Sequence, residues 1–191
     1  MWPQPSGDGC IWSLRRLERR HSGLLQTPIS PASIAFRPTS HKLSRMSESL
    51  HIVCPHCQTT NRVRADQLAS APDCGQCKQP LFTCKPVDLA EAAFDKHLQR
   101  NQIPLLVDFW APWCGPCRQM APGYVQAAAQ LEPGVRVAKV DTEAQQALGS
   151  RYQIRSIPTL ALFVNGFEVA RQAGAMSASE IVRWTRQHIL G

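Results

Sequence analysis

Long hydrophobic runs are missing from this chain, which has 191 residues. No apolar segment reaches the roughly 20 residues that a membrane-spanning helix needs, and none is long enough for the apolar part of a secretory signal. The hydrophobic content of 43% is nevertheless sufficient for a packed core. We therefore expect a soluble, cytoplasmic protein that is not exported.

Acidic residues are scarce beside basic ones, with 14 Asp and Glu against 21 Lys and Arg. The imbalance is concentrated in residues 1–45, which hold seven basic and two acidic residues, a net charge of +5. The remaining residues carry fourteen basic and twelve acidic groups, a net charge of only +2. A basic surface for nucleic acid is therefore not expected on the folded part.

Residues 1–45 also lack any apolar periodicity and contain five prolines and many serines. This composition predicts a disordered extension. Two interpretations of it stay open. The Arg-rich, acid-poor character is typical of an organelle targeting segment, whereas the sequence beginning at Met46 resembles a natural start, which would make the preceding residues a mis-assigned extension.

Six of the eight cysteines form three C-x2-C pairs, and only Cys10 and Cys84 are single. Paired spacing indicates metal and redox chemistry in a reducing compartment. The first two pairs are separated by sixteen residues, a spacing that predicts one Zn²⁺ held by four thiolates, those of Cys54, Cys57, Cys74 and Cys77. Few large apolar residues lie between them, so the segment 46–84 is expected to need the metal to fold.

The third pair follows an apolar run, Leu105 to Trp110, that predicts a buried strand. Cys114 and Cys117 then open a predicted helix, and their spacing lets the two sulfurs bond to each other. The helix N-terminus favours a thiolate at Cys114, which makes it the expected nucleophile. Cys117 is expected to resolve the mixed disulfide. The alternative to a redox pair is that Cys114 and Cys117 form half of a zinc site, but no second cysteine pair follows them in the chain.

The motif WAPWCGPC, after a strand that contains Asp108, resembles the thioredoxin family. With CPHC, CGQC and SIPT, the chain from about residue 50 to 190 is similar to the zinc-containing bacterial thioredoxins of the thioredoxin two type. The resemblance implies an α/β thioredoxin fold in residues 85–191, a central mixed β-sheet flanked by helices, with a small zinc ribbon before it. We also expect a monomer with no bound organic cofactor.

The residues around the dithiol take their expected roles from this resemblance. Asp108 should be buried and neutral with a raised pKa, because an unpaired buried carboxylate is costly, and should exchange protons with Cys117 beside Lys139. The peptide bond between Ile157 and Pro158 should be cis. The expected docking surface for substrates consists of Trp113, Gly115, Pro116, Ile157, Pro158, Ala173, Gly174 and Ala175.

Local patterns predict the remaining elements. A helix over 88–100 is expected to start at Asp88 and to leave His97 on its surface. A helix over 117–131 contains Pro122, which should kink it. Further predictions are a strand over 135–140, a helix over 143–152, a hairpin of 159–164 and 167–172 turning at Asn165 and Gly166, and a helix over 177–189 with Ile181, Trp184, His188 and Ile189 inward.

The leading functional hypothesis is a protein disulfide reductase that NADPH-dependent thioredoxin reductase re-reduces, as the resemblance implies. An oxidant or isomerase of the same fold is disfavoured by the Gly115-Pro116 dipeptide, which belongs to the reducing members. The alternative from another class is a zinc-dependent, redox-regulated binding or chaperone module. Mutating Cys114 and Cys117 distinguishes the two classes, because only reductase activity requires these thiols.

Overall fold

The computed structural model describes residues 48–189, so both interpretations of residues 1–45 lie outside the described residues. The elements in chain order are β1 (Ser49–Val53), β2 (Thr60–Arg64), a short 3₁₀ helix (Ala65–Ser70), β3 (Val87–Asp88), α1 (Glu91–Arg100), β4 (Leu105–Trp110), α2 (Gly115–Leu131), β5 (Arg136–Asp141), α3 (Gln146–Arg151), β6 (Thr159–Val164), β7 (Phe167–Ala173) and α4 (Ala178–Ile189). None of these helices is long and apolar enough to cross a membrane.

A five-stranded mixed sheet in the order β3-β5-β4-β6-β7 forms the centre of the larger part. β3, β5 and β4 run parallel, and β6 and β7 are antiparallel to their neighbours. Alternate residues of β4 face opposite sides, so Leu106 packs in the core with α2 and α4, while Val107 packs in the core with α1. The predicted mixed sheet flanked by helices is confirmed.

The β6–β7 hairpin turns at the predicted residues. Asn165 and Gly166 have φ angles of 52° and 84°. Both lie in the left-handed region, which a two-residue hairpin loop of this type requires at both positions. Helix α2 contains Pro122 in its interior, and the kink expected there stays a prediction.

Asp88 does not cap α1, contrary to prediction. Asp88 lies in β3 beside Lys139 of β5, and the backbone N–H of Leu89 donates to the carbonyl of Lys139. Helix α1 therefore begins only at Glu91. α3 also begins later than predicted, because the Asp141 carboxylate accepts from the backbone N–H groups of Glu143 and Ala144 in a turn.

His97 is fully buried, so its predicted place on the helix surface is wrong. Its Nδ1 lies 2.9 Å from Nδ2 of Asn101, whose Oδ1 accepts from the backbone N–H of Val53. Burial and the nearby charge of Arg136 lower the pKa of His97 to about 3. The helical pattern alone could not show this, because the residues covering His97 come from distant parts of the chain.

The inward face of α4 differs in part from prediction. Ile181 is buried as expected, but His188 is exposed, and the residues buried with Ile181 are Val182 and Thr185. The Thr185 hydroxyl donates to the carbonyl of Ile181 at 2.8 Å. A threonine with this internal bond can be buried without an unsatisfied donor.

The cysteine-rich segment forms a β1–β2 hairpin that packs against the end of α1. His51 donates its backbone N–H to Oε1 of Gln102, and the N–H of Gln102 donates to the carbonyl of His51. Ile52, Val63, Leu81 and Phe82 are buried together with Ile103, which precedes β4. Part of the apolar surface of the ribbon is therefore covered by the sheet domain.

Candidate redox and metal sites

The dithiol lies at the start of α2. Cys114 and Cys117 form a disulfide with their α-carbons 5.3 Å apart. Cys114 is the N-cap of α2, and its Sγ accepts from the backbone N–H of Cys117 at 3.2 Å. Cys114 is 4% exposed, whereas Cys117 has no exposed surface. The two sulfurs therefore differ in access, and Cys114 is the one nearer to solvent.

A loop before β6 faces the disulfide. The peptide bond between Ile157 and Pro158 is cis, as the resemblance predicted. Sγ of Cys114 lies 3.7 Å from the carbonyl oxygen of Ile157. The backbone N–H of Gly174 donates to the carbonyl of Pro158 at 2.9 Å, which fixes the loop against the end of β7. The dithiol, the loop and Gly174 are thus adjacent.

The predicted docking residues are not equally exposed. Trp113 is 67% exposed and is one of three large apolar side chains exposed within residues 48–189. Pro158, in contrast, is buried, so it contributes the backbone conformation of the loop rather than contact area. The exposed members are Trp113, Pro116, Ala173, Gly174 and Ala175, and the half-buried ones are Gly115 and Ile157.

Asp108 lies in the middle of β4 and has no exposed surface. Neither carboxyl oxygen has a hydrogen-bond partner among residues 48–189. Burial raises the pKa of Asp108 to about 8, against the opposing effect of the Lys139 charge. Asp108 is therefore buried as predicted, and burial shifts its pKa in the predicted direction.

Tyr124 of α2, which the sequence did not single out, supports the same region. Its buried hydroxyl lies 2.7 Å from the carbonyl of Ala138 and 3.2 Å from that of Leu106. These carbonyls belong to β5 and β4, so the hydroxyl fixes α2 against both strands beside Asp108. A tyrosine within an otherwise Ala-rich helix face was the available signal.

We expect Asp108→Asn to stabilise the protein in a pH-dependent way. The Asp108 carboxyl has a pKa of about 8 in the folded protein and of about 3.8 in the unfolded chain. Between these pH values the folded protein keeps a proton that the unfolded chain has lost. The stability contribution is present below pH 3.8 and is lost as pH rises toward 8. Asparagine avoids this loss, so the variant should gain a few kcal/mol at pH 8 and little near pH 4.

Denaturant unfolding at several pH values measures this difference. Asp95→Asn, which removes a half-buried carboxylate paired with Arg151, is the control and should not gain stability at pH 8. A stability difference between wild type and Asp108→Asn that stays constant from pH 4 to pH 8 would contradict the raised pKa.

The four ribbon cysteines converge on one point. Sγ atoms of Cys54 and Cys77, and those of Cys57 and Cys74, are 3.6 Å apart, and all four lie within 4.8 Å of one another. A tetrahedral zinc site with Zn–S bonds of about 2.3 Å separates its sulfurs by about 3.8 Å. Four thiols at this separation therefore fit a zinc ion.

Asn61 supports this metal site and was not identified from the sequence. Its Nδ2 lies 3.6 Å from Sγ of Cys74, and its Oδ1 accepts from the backbone N–H of Gly75 at 2.9 Å. The backbone N–H of His56 points to Sγ of Cys54 at 3.4 Å. Such contacts orient thiolate ligands and stabilise their charge.

A buried ion pair connects the ribbon to the sheet domain. Arg136 and Glu132 are fully buried and 2.7 Å apart. Arg136 also donates to the carbonyl of Leu81 at 2.6 Å, and Glu132 accepts from the backbone N–H of Cys84 at 2.7 Å. The guanidinium lies 5.0 Å from the centre of the Phe82 ring. The sequence signal was an arginine inside an apolar strand pattern, four residues after a glutamate.

Comparisons with known proteins agree with this architecture. Residues 85–187 match the family described as thioredoxin, and residues 53–79 match the one described as thioredoxin 2, N-terminal. Thioredoxin C-3 of Corynebacterium nephridii is 44% identical over 72% of this chain and 94% of its own length. Thioredoxin of Haemophilus influenzae is 39% identical over 52% of this chain and 92% of its own.

A solved structure of a mutant thioredoxin from Halobacterium salinarum superposes with a TM-score of 0.51 at 30% identity, covering 56% of this chain and 93% of that one. The family match spans more than half of the chain, and the separate ribbon match falls on the segment that carries the four converging thiols. The protein therefore belongs to the thioredoxin family of protein disulfide oxidoreductases and has the zinc-ribbon architecture of the thioredoxin 2 type.

Proposed function

We propose that the protein reduces disulfides in other proteins through the Cys114–Cys117 pair, and that NADPH-dependent thioredoxin reductase restores the dithiol. The observation that carries this proposal is the position of Cys114, at the N-terminus of α2 and 3.7 Å from the carbonyl of Ile157 in the cis-proline loop. The proposed nucleophile thus lies beside the backbone that we propose receives a substrate strand.

In the proposed first step, the reduced Cys114 acts as a thiolate. The N-terminal end of α2 favours this charge, and the backbone N–H of Cys117 already points to the sulfur. Sγ of Cys114 attacks one sulfur of the substrate disulfide. A mixed disulfide forms, the substrate S–S bond breaks, and the second substrate sulfur leaves as a thiolate that takes up a proton.

In the second step, Cys117 resolves the mixed disulfide. Its thiol must lose a proton, and the ionised form of Asp108, the minor form at neutral pH, is the proposed acceptor, with Lys139 as its charged neighbour. A carboxyl with a pKa of about 8 exchanges protons efficiently near neutral pH. Sγ of Cys117 then attacks Sγ of Cys114 and releases the reduced substrate. Two electrons have passed to the substrate, and the pair is left as the disulfide.

Substrate proteins are proposed to dock on the surface around the dithiol. An extended segment next to a disulfide can pair with exposed backbone of the cis-proline loop, as in strand addition. Trp113 offers apolar contact area beside the sulfur. The proposed contact residues are Trp113, Gly115, Pro116, Ile157, Pro158 and Gly174.

The test is a coupled assay with the full-length, zinc-loaded chain, NADPH, thioredoxin reductase and insulin as the disulfide substrate. We expect NADPH oxidation that depends on the protein and precipitation of reduced insulin chains. Absence of turnover in folded, zinc-loaded protein would overturn the proposal. The proposed setting is the cytoplasm, where a reducing thiol pair can operate, with the chain acting as a monomer and binding neither nucleic acid nor membrane.

The ribbon, proposed as residues 46–84 before a thioredoxin domain of 85–191, is assigned a structural role. One Zn²⁺ would be held by Cys54, Cys57, Cys74 and Cys77, where it would link residues 54–57 to residues 74–77. The donor set of four convergent thiols supports zinc. The dithiol itself lies outside this cluster and needs no metal for the exchange.

We expect Cys74→Ser to lower the zinc content from about one equivalent to below roughly a tenth, because one thiolate ligand and its contact to Asn61 are lost. Reductase turnover should persist, since the core around α2 and α4 is separate from the ribbon. Metal analysis and the insulin assay measure the two effects. Gln76→Ala, an exposed position between two ligands, is the control. Unchanged zinc content in Cys74→Ser would contradict the assignment.

A further inference from the structure

Three charged residues form a row across three adjacent strands. Asp108 of β4 is in register with Lys139 of β5, and Lys139 is in register with Asp88 of β3. Residues in register on neighbouring strands present their side chains to the same face of a sheet. The row runs from the interior to the surface, since Asp108 has no exposed surface, Lys139 is 7% exposed, and the Asp88 side chain is 74% exposed.

The contacts along the row show which residues hold the Lys139 ammonium in place. Nζ of Lys139 lies 2.6 Å from Oδ1 of Asp88. The same ammonium is 5.0 Å from the centre of the Trp110 ring. Lys139 is therefore fixed on its outer side by Asp88, while its positive charge acts on Asp108 and opposes the effect of burial on the pKa of that carboxyl.

Tyr124 of α2 interacts with Asp108 and is neutral. Burial raises the pKa of Tyr124 well above its ordinary value. The register neighbour on β6 is the apolar Leu160. Asp141, two residues along β5 from Lys139, has its carboxylate engaged by backbone N–H groups of the following turn. Lys139 is thus the principal cation acting on Asp108 within residues 48–189.

We propose that Asp88 is a positioning residue of the redox site, which holds the Lys139 ammonium and thereby sets the pH at which Asp108 loses its proton. The consequence for Cys117 rests on the proposed function, whereas the effect on Asp108 does not. Asp88 keeps Asp108 protonated to higher pH by two routes. Its negative charge directly disfavours the ionised form of Asp108, and its ion pair with Lys139 offsets part of the attraction of Lys139 for that form.

The decisive measurement is the titration of the Asp108 carboxyl, followed by ¹³C NMR in full-length, zinc-loaded protein. Asp88→Asn should move the Asp108 midpoint to lower pH by about half a pKa unit or more. Asp88→Glu keeps the carboxylate and should retain most of the wild-type midpoint. Asp95→Asn removes a half-buried carboxylate that pairs with Arg151 instead of Lys139, and should leave the Asp108 midpoint unchanged.

Lys139→Gln separates the two routes. This variant should raise the Asp108 midpoint, and adding Asp88→Asn to it should then produce a smaller shift than in the presence of Lys139. Equal midpoints in wild type and Asp88→Asn, or equal shifts in Asp88→Asn and Asp95→Asn, would overturn the inference. So would a shift to higher pH in Asp88→Asn.

The pH dependence of insulin reduction distinguishes this inference from the proposed function. If Asp108 passes protons to and from Cys117, the rate profile of Asp88→Asn should shift in the same direction as the NMR midpoint. A moved midpoint with an unmoved rate profile would confirm the action of Asp88 on Asp108 and would refute the proposed role of Asp108 in proton transfer.

Discussion

Cys114→Ser should abolish insulin reduction, with a loss of roughly a thousandfold or more that reaches the background of the assay. A serine hydroxyl at this position stays protonated at neutral pH and cannot form a mixed disulfide, so the first step of the exchange has no nucleophile. Cys114 is at the N-cap of α2 and only 4% exposed, so serine should fit there without disturbing the fold.

Two further serine variants make this test specific. Cys117→Ser keeps the attacking sulfur but removes the resolving one, so it should accumulate a mixed disulfide with the substrate that a reductant releases. Cys74→Ser, in the ribbon, leaves the dithiol intact and should retain turnover. No turnover in either the wild type or Cys114→Ser would instead favour the zinc-dependent, redox-regulated binding or chaperone module as the functional part.

Arg136→Ala should lower the free energy of unfolding by about 3–5 kcal/mol, the range for breaking a buried ion pair. The substitution leaves the buried Glu132 carboxylate without its cation, and the carbonyl of Leu81 loses a 2.6 Å hydrogen bond. It also removes the contact with the Phe82 ring. Because Leu81 and Phe82 belong to the ribbon side, the ribbon should lose its packing against the sheet domain.

Denaturant unfolding and hydrogen exchange of the ribbon amides measure these two effects. Arg151→Ala is the control, since Arg151 pairs with Glu91 and Asp95 on the surface, where ion pairs contribute about 1 kcal/mol or less. Glu132→Gln combined with Arg136→Met should recover part of the stability, because no charge is left buried. A cost for Arg136→Ala equal to that of Arg151→Ala would show that the pair does not hold the ribbon.

Local patterns were sufficient wherever the neighbours along the chain decide the structure. The spacing of Cys114 and Cys117, the apolar strand before them and the Asn165-Gly166 turn are short-range features, and each appears in the structure as predicted. The same holds for the two cysteine pairs of the ribbon, whose thiols converge. The cis bond before Pro158 came from the resemblance, since few such bonds are cis in general.

Other features depend on residues far apart in the sequence. The residue spacing around His97 predicts a place on the helix surface. His97 is instead buried beside Asn101, which bonds to Val53 of the ribbon. Aspartate is a residue type that often caps helices. Asp88 nevertheless lies in β3, which pairs with β5 next to Lys139. Neither outcome is encoded in the spacing around the residue itself.

The sequence by itself determined the chemistry of this protein, because two thiols at a helix start and four thiols in paired turns require only short-range geometry. The tertiary structure alone decided which charges are buried and how they are paired, as in the contacts of Arg136 with Glu132 and of Lys139 with Asp88. The physical reason is that the pKa and the energetic cost of a charged group depend on everything packed around it, and that packing is complete only in the folded chain.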